Sequence, residues 1–125
     1  MPLLSVSLVL HERDPHQLDT TQLVFELAQI HLPYELPVGT HFETSFDHMT
    51  SYSAAYYTYL WSQAIAKDLL TAFKNGLLDQ SDTRRYRDLV LAPGGSRPAA
   101  ELVSDFLGRP HSFQALAKWL SSDPG

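Results

Sequence analysis

The 125-residue chain contains no cysteine, so disulfides and thiolate metal sites are excluded. It has no apolar run near the ~20 residues needed to span a bilayer. Basic residues are few and scattered: nine Lys and Arg against fourteen Asp and Glu give a net charge of −5. No basic face is available to neutralise phosphates, which argues against nucleic acid as a partner. The only basic cluster, Arg84, Arg85 and Arg87, reads as a solvated helix face. The opening MPLLSVSLVL is apolar but lacks the positive flank and small-residue cleavage site of a signal peptide. It reads instead as the end of a normally buried helix. Cytoplasmic localisation, with no membrane association, is the expectation.

A hydrophobic content of 44% with 18% charged residues is that of a globular chain. Its length suits one domain, spanning 1–125. Apolar residues recur at helical spacing, and no segment alternates strictly over strand length. The fold class predicted is all-α, an irregular array of five or six helices. Residues 2–10 form the first. Asp19 or Thr20 caps a second, with Asp19 and Gln22 spaced as a capping box and Leu23, Val24, Leu27 and Ile30 inward. Pro33 and Pro37 make 32–40 a loop. A long helix is expected from Ser51–Ser53 to about Lys74, with Gly76 near its end and Tyr57, Trp61, Ile65, Leu69 and Phe73 inward. Another starts at Ser81 or Asp82 and stops before Pro93. APGGSRP at 92–98 is a turn without the lysine of a phosphate loop. Ser96 caps a helix that Gly108 ends, and a last helix covers about Ser112 to Ser121, with Phe113, Leu116, Trp119 and Leu120 inward.

The chemistry is concentrated in HFETSFDHMTSYSAAYYTYLW at 41–61. His48 is followed by tyrosines at 52, 56, 57 and 59. Tyr52, Tyr56 and Tyr59 are spaced i, i+4, i+7 and share one face of a helix. Phenols are costly in a plain core because each buried hydroxyl needs a partner. They suit donation to an oxyanion developing on a substrate carbonyl. Tyr57 falls on the packing stripe and is assigned to the core. The other five histidines, at 11, 16, 31, 41 and 111, lack metal-ligand spacing, so an independent metalloenzyme built on them is disfavoured.

The 41–61 stretch resembles the C-terminal region of the thimet oligopeptidase and oligopeptidase A family of zinc metallopeptidases. AIAKDLL at 64–70, YRDLVLAPGGSRPAAELVSDFLGRP at 86–110 and ALAKWL at 115–120 are similar to that family's tail in the same order, and HERDP at 11–15 to the segment upstream. The short spacing in HMTSY is similar to the mitochondrial intermediate peptidase branch and some bacterial relatives. The resemblance implies that Tyr59 donates a hydrogen bond to the scissile-carbonyl oxyanion with His48 assisting. It implies that Tyr52 makes a further substrate or transition-state contact, with Tyr56 as a substrate-binding neighbour.

The family binds zinc through H-E-x-x-H plus a downstream glutamate, and this sequence has no H-E-x-x-H. In HERDPH the second histidine comes one residue late, and Pro15 interrupts the helix that would present both. The expectation is therefore a C-terminal part of a zinc-dependent oligopeptidase, binding no cofactor itself and inactive alone. Its expected partners are peptide substrate in the full-length enzyme and the missing N-terminal catalytic part; alone, it is expected to form a homo-oligomer. The alternative is a free-standing helical module, derived from that domain, that binds peptides or a protein. One departure stands out. Family members usually carry glycine just before the first tyrosine, where Thr50-Ser51-Tyr52-Ser53 has none. Serines are expected to stiffen this loop and to exclude positive φ.

Overall fold

A computed structural model describes residues 2–122. Regular structure among them is entirely helical, so the chain is all-α as the apolar spacing predicts. The α-helices are α1 (Pro2–Glu12), α2 (Thr20–His31), α3 (His48–Ser51), α4 (Thr58–Leu70), α5 (Gln80–Tyr86), α6 (Ala99–Leu107) and α7 (Gln114–Ser121). Short 3₁₀ turns join several of them, and α5 continues into a π-helical turn at Arg87–Leu91. The chain divides into two compact units, the first ending at Tyr59 and the second beginning at Leu60.

In the first unit α1 and α2 pack together and α1 also packs on the 3₁₀ turn Ala55–Tyr57. Val6, Val24 and Phe46 form the buried centre, with Leu10, Leu27, Met49 and Tyr56 partly buried around them. Asp19 caps α2 by accepting from the Gln22 backbone N–H at 2.9 Å. The return arm of the capping box is not made; the Gln22 amide bonds Glu26 instead. Ile30, expected inward, is exposed, and Ala28 holds the buried position.

The long helix expected from 51–53 to about 74 is broken at both ends. Tyr52 ends the four-residue α3, Ser53 takes a positive φ of 49°, and α4 starts only at Thr58. At the other end, successive i→i+3 bonds from Thr71, Ala72 and Phe73 replace α-helical pairing after Leu70. Tyr57 therefore sits in a 3₁₀ turn, out of register with the buried line of α4. It is 55% exposed and is not core. Trp61 is exposed too, and the buried line consists of Ala64 and Asp68.

The second unit closes around Phe106, whose ring contacts Phe73 and Tyr86 at 5.5 and 5.3 Å between centroids. Leu102, Val103 and Leu116 complete the buried set with Ala64. Asp79, not Ser81 or Asp82, caps α5. Ser96 lies in a 3₁₀ turn, and Pro98 occupies the position before α6. Gly108 ends α6 in the left-handed conformation, φ 70°, as expected of a C-terminal glycine. On α7 only Leu116 is buried; Trp119 and Leu120, expected inward, are exposed.

Candidate functional site

Three local features of the first unit assemble the His–Tyr cluster. The 3₁₀ turn Phe42–Ser45 brings Phe46 into the core, where its buried ring makes a platform. His48 opens α3 directly after it, with its ring centroid 5.6 Å from that of Phe46. The left-handed Ser53 then turns the chain back, so the tyrosines that follow meet His48 again. The ring centroids of Tyr52, Tyr56 and Tyr59 lie 5.4, 5.1 and 5.9 Å from that of His48.

The structure thus brings together all four sequence-predicted site residues, but not along one face of one helix. Tyr52 arrives from the end of α3, Tyr56 from a 3₁₀ turn and Tyr59 from the first turn of α4. Their exposure separates them. Tyr56 is half-buried, edge-on to Phe46 at 5.2 Å, and joins the packing around the core. Tyr52 and Tyr59 are 61% and 56% exposed and present their phenols to solvent. His48 Nε2 lies 3.1 Å from the Tyr59 hydroxyl oxygen.

That contact has two chemical forms. If the phenol donates to the imidazole, its proton is used up. If Nε2–H donates to the phenolic oxygen, the Tyr59 proton stays available to another acceptor. The second form makes Tyr59 a hydrogen-bond donor aimed by His48, with a second phenol, Tyr52, near the same imidazole.

Among the described residues no three His, Asp or Glu converge as a metal-holding group. His11 Nδ1 is 2.7 Å from the Ser7 carbonyl oxygen at the end of α1. His16 lies in a separate 3₁₀ turn that Asp14 caps. His41 is near a carboxylate, Glu43 at 3.3 Å, but that carboxylate also accepts a 2.5 Å bond from Thr21. Burial pushes the Glu43 carboxyl up; hydrogen bonds from Thr21, its own backbone and His41 outweigh this and hold it below the ordinary range.

Four residues escape sequence reasoning. Phe46 is visible only as one aromatic among several. Ser7 and Ser53 lie 46 residues apart and meet through a hydrogen bond that no spacing rule anticipates. In the second unit, Asp68 reads as a polar interruption of an apolar stripe, yet it is buried and gripped by Arg109.

The sequence model of Peptidase family M3 matches residues 5–121, nearly the whole chain, and the chain belongs to that family. It is 42% identical to saccharolysin of Saccharomyces cerevisiae over 79 residues, which cover 61% of this chain and 11% of that protein. It is 37% identical to the thimet-like oligopeptidase of Dictyostelium discoideum over 82 residues, 64% of this chain and 12% of that protein. A mitochondrial intermediate peptidase of Aspergillus clavatus is 33% identical over 109 residues, 82% of this chain and 14% of that protein. The chain thus spans about an eighth of the length of these curated relatives. No helix of the described residues is long and apolar enough to cross a membrane.

Proposed function

We propose that this chain corresponds to the C-terminal part of a zinc-dependent oligopeptidase and supplies the donors that receive charge on the scissile carbonyl, while the metal is held by residues outside it. The observation that carries the reading is the 3.1 Å contact between His48 Nε2 and the hydroxyl of the exposed Tyr59, with the Tyr52 ring 5.4 Å from the same imidazole.

Each residue has a distinct role. Tyr59 is anchored in the first turn of α4 and donates its phenolic proton to the carbonyl oxygen as negative charge develops there. His48 donates from Nε2 to the phenolic oxygen, which fixes the direction of the Tyr59 O–H and makes it a stronger donor. Tyr52, on the loop side, makes a second contact to substrate. Tyr56 supports the three by filling the space between His48 and Phe46, and its edge lines the same surface for the peptide.

The test is Tyr59→Phe in a longer peptidase carrying this segment. Phenylalanine keeps the ring contacts and removes only the proton. A donor used chiefly in the transition state costs ~10²–10³ in kcat when lost, with little change in KM. An unchanged kcat would remove Tyr59 from the mechanism. A change confined to KM would favour the other reading, a tyrosine-lined module that only holds peptides.

A further inference from the structure

Tyr52 is the most exposed member of the cluster and stands at the end of the four-residue α3, where its N–H makes the last helical bond, to the His48 carbonyl. The residue after it is the only non-glycine among the described residues with positive φ: Ser53, at 49°. A side chain in that region is strained. Such a conformation persists only where its surroundings hold it. Ser53 itself is exposed.

The restraint comes from α1. Ser7 is 1% exposed, one of the most buried side chains described, and a hydroxyl so placed needs a partner. Its hydroxyl donates to the backbone carbonyl oxygen of Ser53 at 3.2 Å. On either side of the strained residue the chain closes on itself: the Tyr52 N–H bonds the His48 carbonyl at 2.9 Å, and the Ala55 N–H bonds the Tyr52 carbonyl at 3.0 Å. Among the described residues, the one hydrogen bond to this turn from a distant part of the chain is that from Ser7.

We infer that Ser7 is a positioning residue: its buried hydroxyl pins the left-handed turn at Ser53 and so holds Tyr52 against His48. This rests on the proposed role of Tyr52 for its functional meaning, but the geometry is independent of it. Ser7 acts through the backbone of Ser53 and touches no substrate. Tyr59 is anchored separately by α4, so loss of the Ser7 bond releases Tyr52 and leaves Tyr59 in place. Where a left-handed turn ordinarily calls for glycine, this chain uses serine with a buried donor behind it. The result is a turn with one preferred state.

Proton Overhauser contacts between rings in the 125-residue chain read this directly, without any activity measurement. In the unaltered chain the His48 ring shows contacts to both Tyr52 and Tyr59, at centroid separations of 5.4 and 5.9 Å. Ser7→Ala is expected to lose the His48–Tyr52 contacts and keep those of His48 with Tyr59. Ser53→Gly, which adopts positive φ freely while Ser7 still donates, is expected to keep both sets. Ser7→Cys preserves volume but weakens the donor, and carries the same expectation as Ser7→Ala if the alanine variant does not fold. Retention of the His48–Tyr52 contacts in a folded Ser7→Ala or Ser7→Cys chain overturns the inference. Loss of both tyrosine contacts together overturns it as well, since Ser7 would then support the unit in general. Failure of the proposed chemistry shows elsewhere, as an unchanged kcat for Tyr59→Phe.

Discussion

Arg109 holds Asp68 with both ends of its guanidinium group, Nη2 to one carboxylate oxygen at 2.6 Å and Nη1 to the other at 2.8 Å. The Ser112 backbone N–H adds a third bond at 2.7 Å. Asp68 is 1% exposed, whereas Arg109 keeps much of its surface in water. A bidentate pair of this kind fixes orientation as well as distance. It ties the buried side of α4 to the segment between α6 and α7, where Pro110 interrupts helix.

Asp68→Asn is expected to destabilise the second unit by about 2 kcal/mol, the usual scale for hydrogen bonds to a charged group. The amide keeps the shape but offers one acceptor oxygen where two are used, and it turns an N–H toward a guanidinium. Arg109→Lys keeps the charge and loses the fork, so it should also destabilise. Denaturant titration of each variant checks both. Stability equal to the unaltered chain in Asp68→Asn would reduce the pair to a surface decoration.

Acid should remove the same interaction. The hydrogen bonds from Arg109 are the main reason the Asp68 carboxyl lies below its ordinary value of 3.8; burial opposes them and the Ser112 N–H assists. Above about pH 5 the carboxyl is ionised in both folded and unfolded chains, and its contribution is complete. As the pH falls below 3.8 the unfolded chain takes up the proton first, and the contribution drains until the folded carboxyl protonates too. Glu43 in the first unit has the same sign, from an ordinary value of 4.5. Stability measured between pH 6 and 2 should therefore fall on the acid side, and Asp68→Asn should flatten that fall. An acid limb identical in the variant would contradict the assignment.

The fold and the site were legible to different depths. Helical periodicity located α1, α2, α6 and α7 because each repeats apolar residues over two or more turns. Gly108 marked its own helix end because a left-handed C-terminal position favours a residue without Cβ. The segment from Tyr52 to Thr58 reads as the start of a continuous helix because its spacing is helical while its backbone is not. A buried hydroxyl 46 residues away stabilises the break. Serine at 53 was expected to exclude positive φ, and local propensity alone gives that answer; the tertiary bond from Ser7 reverses it. Resemblance to the oligopeptidase family, and not spacing alone, picks out His48, Tyr52, Tyr56 and Tyr59 as a group. Which phenols face solvent and which one packs depends on Phe46 and the 3₁₀ turn, and neither leaves a periodic mark.

The 125-residue chain is expected to bind no zinc stoichiometrically and to cleave no oligopeptide. The motivation is positional: His11 is held at the Ser7 carbonyl, His16 follows a proline in a separate turn, and the His48 cluster offers phenols where a metal needs carboxylates or further imidazoles. Calorimetric titration with zinc and a quenched-fluorescent peptide assay measure the two properties. Tight one-to-one binding together with turnover abolished by chelator would replace the proposed division of labour with a self-contained enzyme.

The last prediction concerns association. Leu4 and Leu8 are one helical turn apart on α1, Leu4 half-buried and Leu8 exposed, so α1 carries an apolar row only partly covered by α2. On the first unit Leu3 and Val6 also floor an apolar groove of about 210 Å³, walled by Leu32, Tyr34, Leu36 and Phe42. Apolar surface of this extent favours self-association, and a two-fold dimer is the simplest closed arrangement that buries the same row on both copies. The isolated chain is therefore expected to form a homodimer or larger oligomer through Leu4, Leu8 and their neighbours. Leu8→Glu, which places a charge in that row without touching Val6 in the core, should shift the population toward monomer. Sedimentation velocity across a concentration series reads both. A single monomeric species up to high micromolar concentration in the unaltered chain would refute the association and require that the α1 row tolerate water.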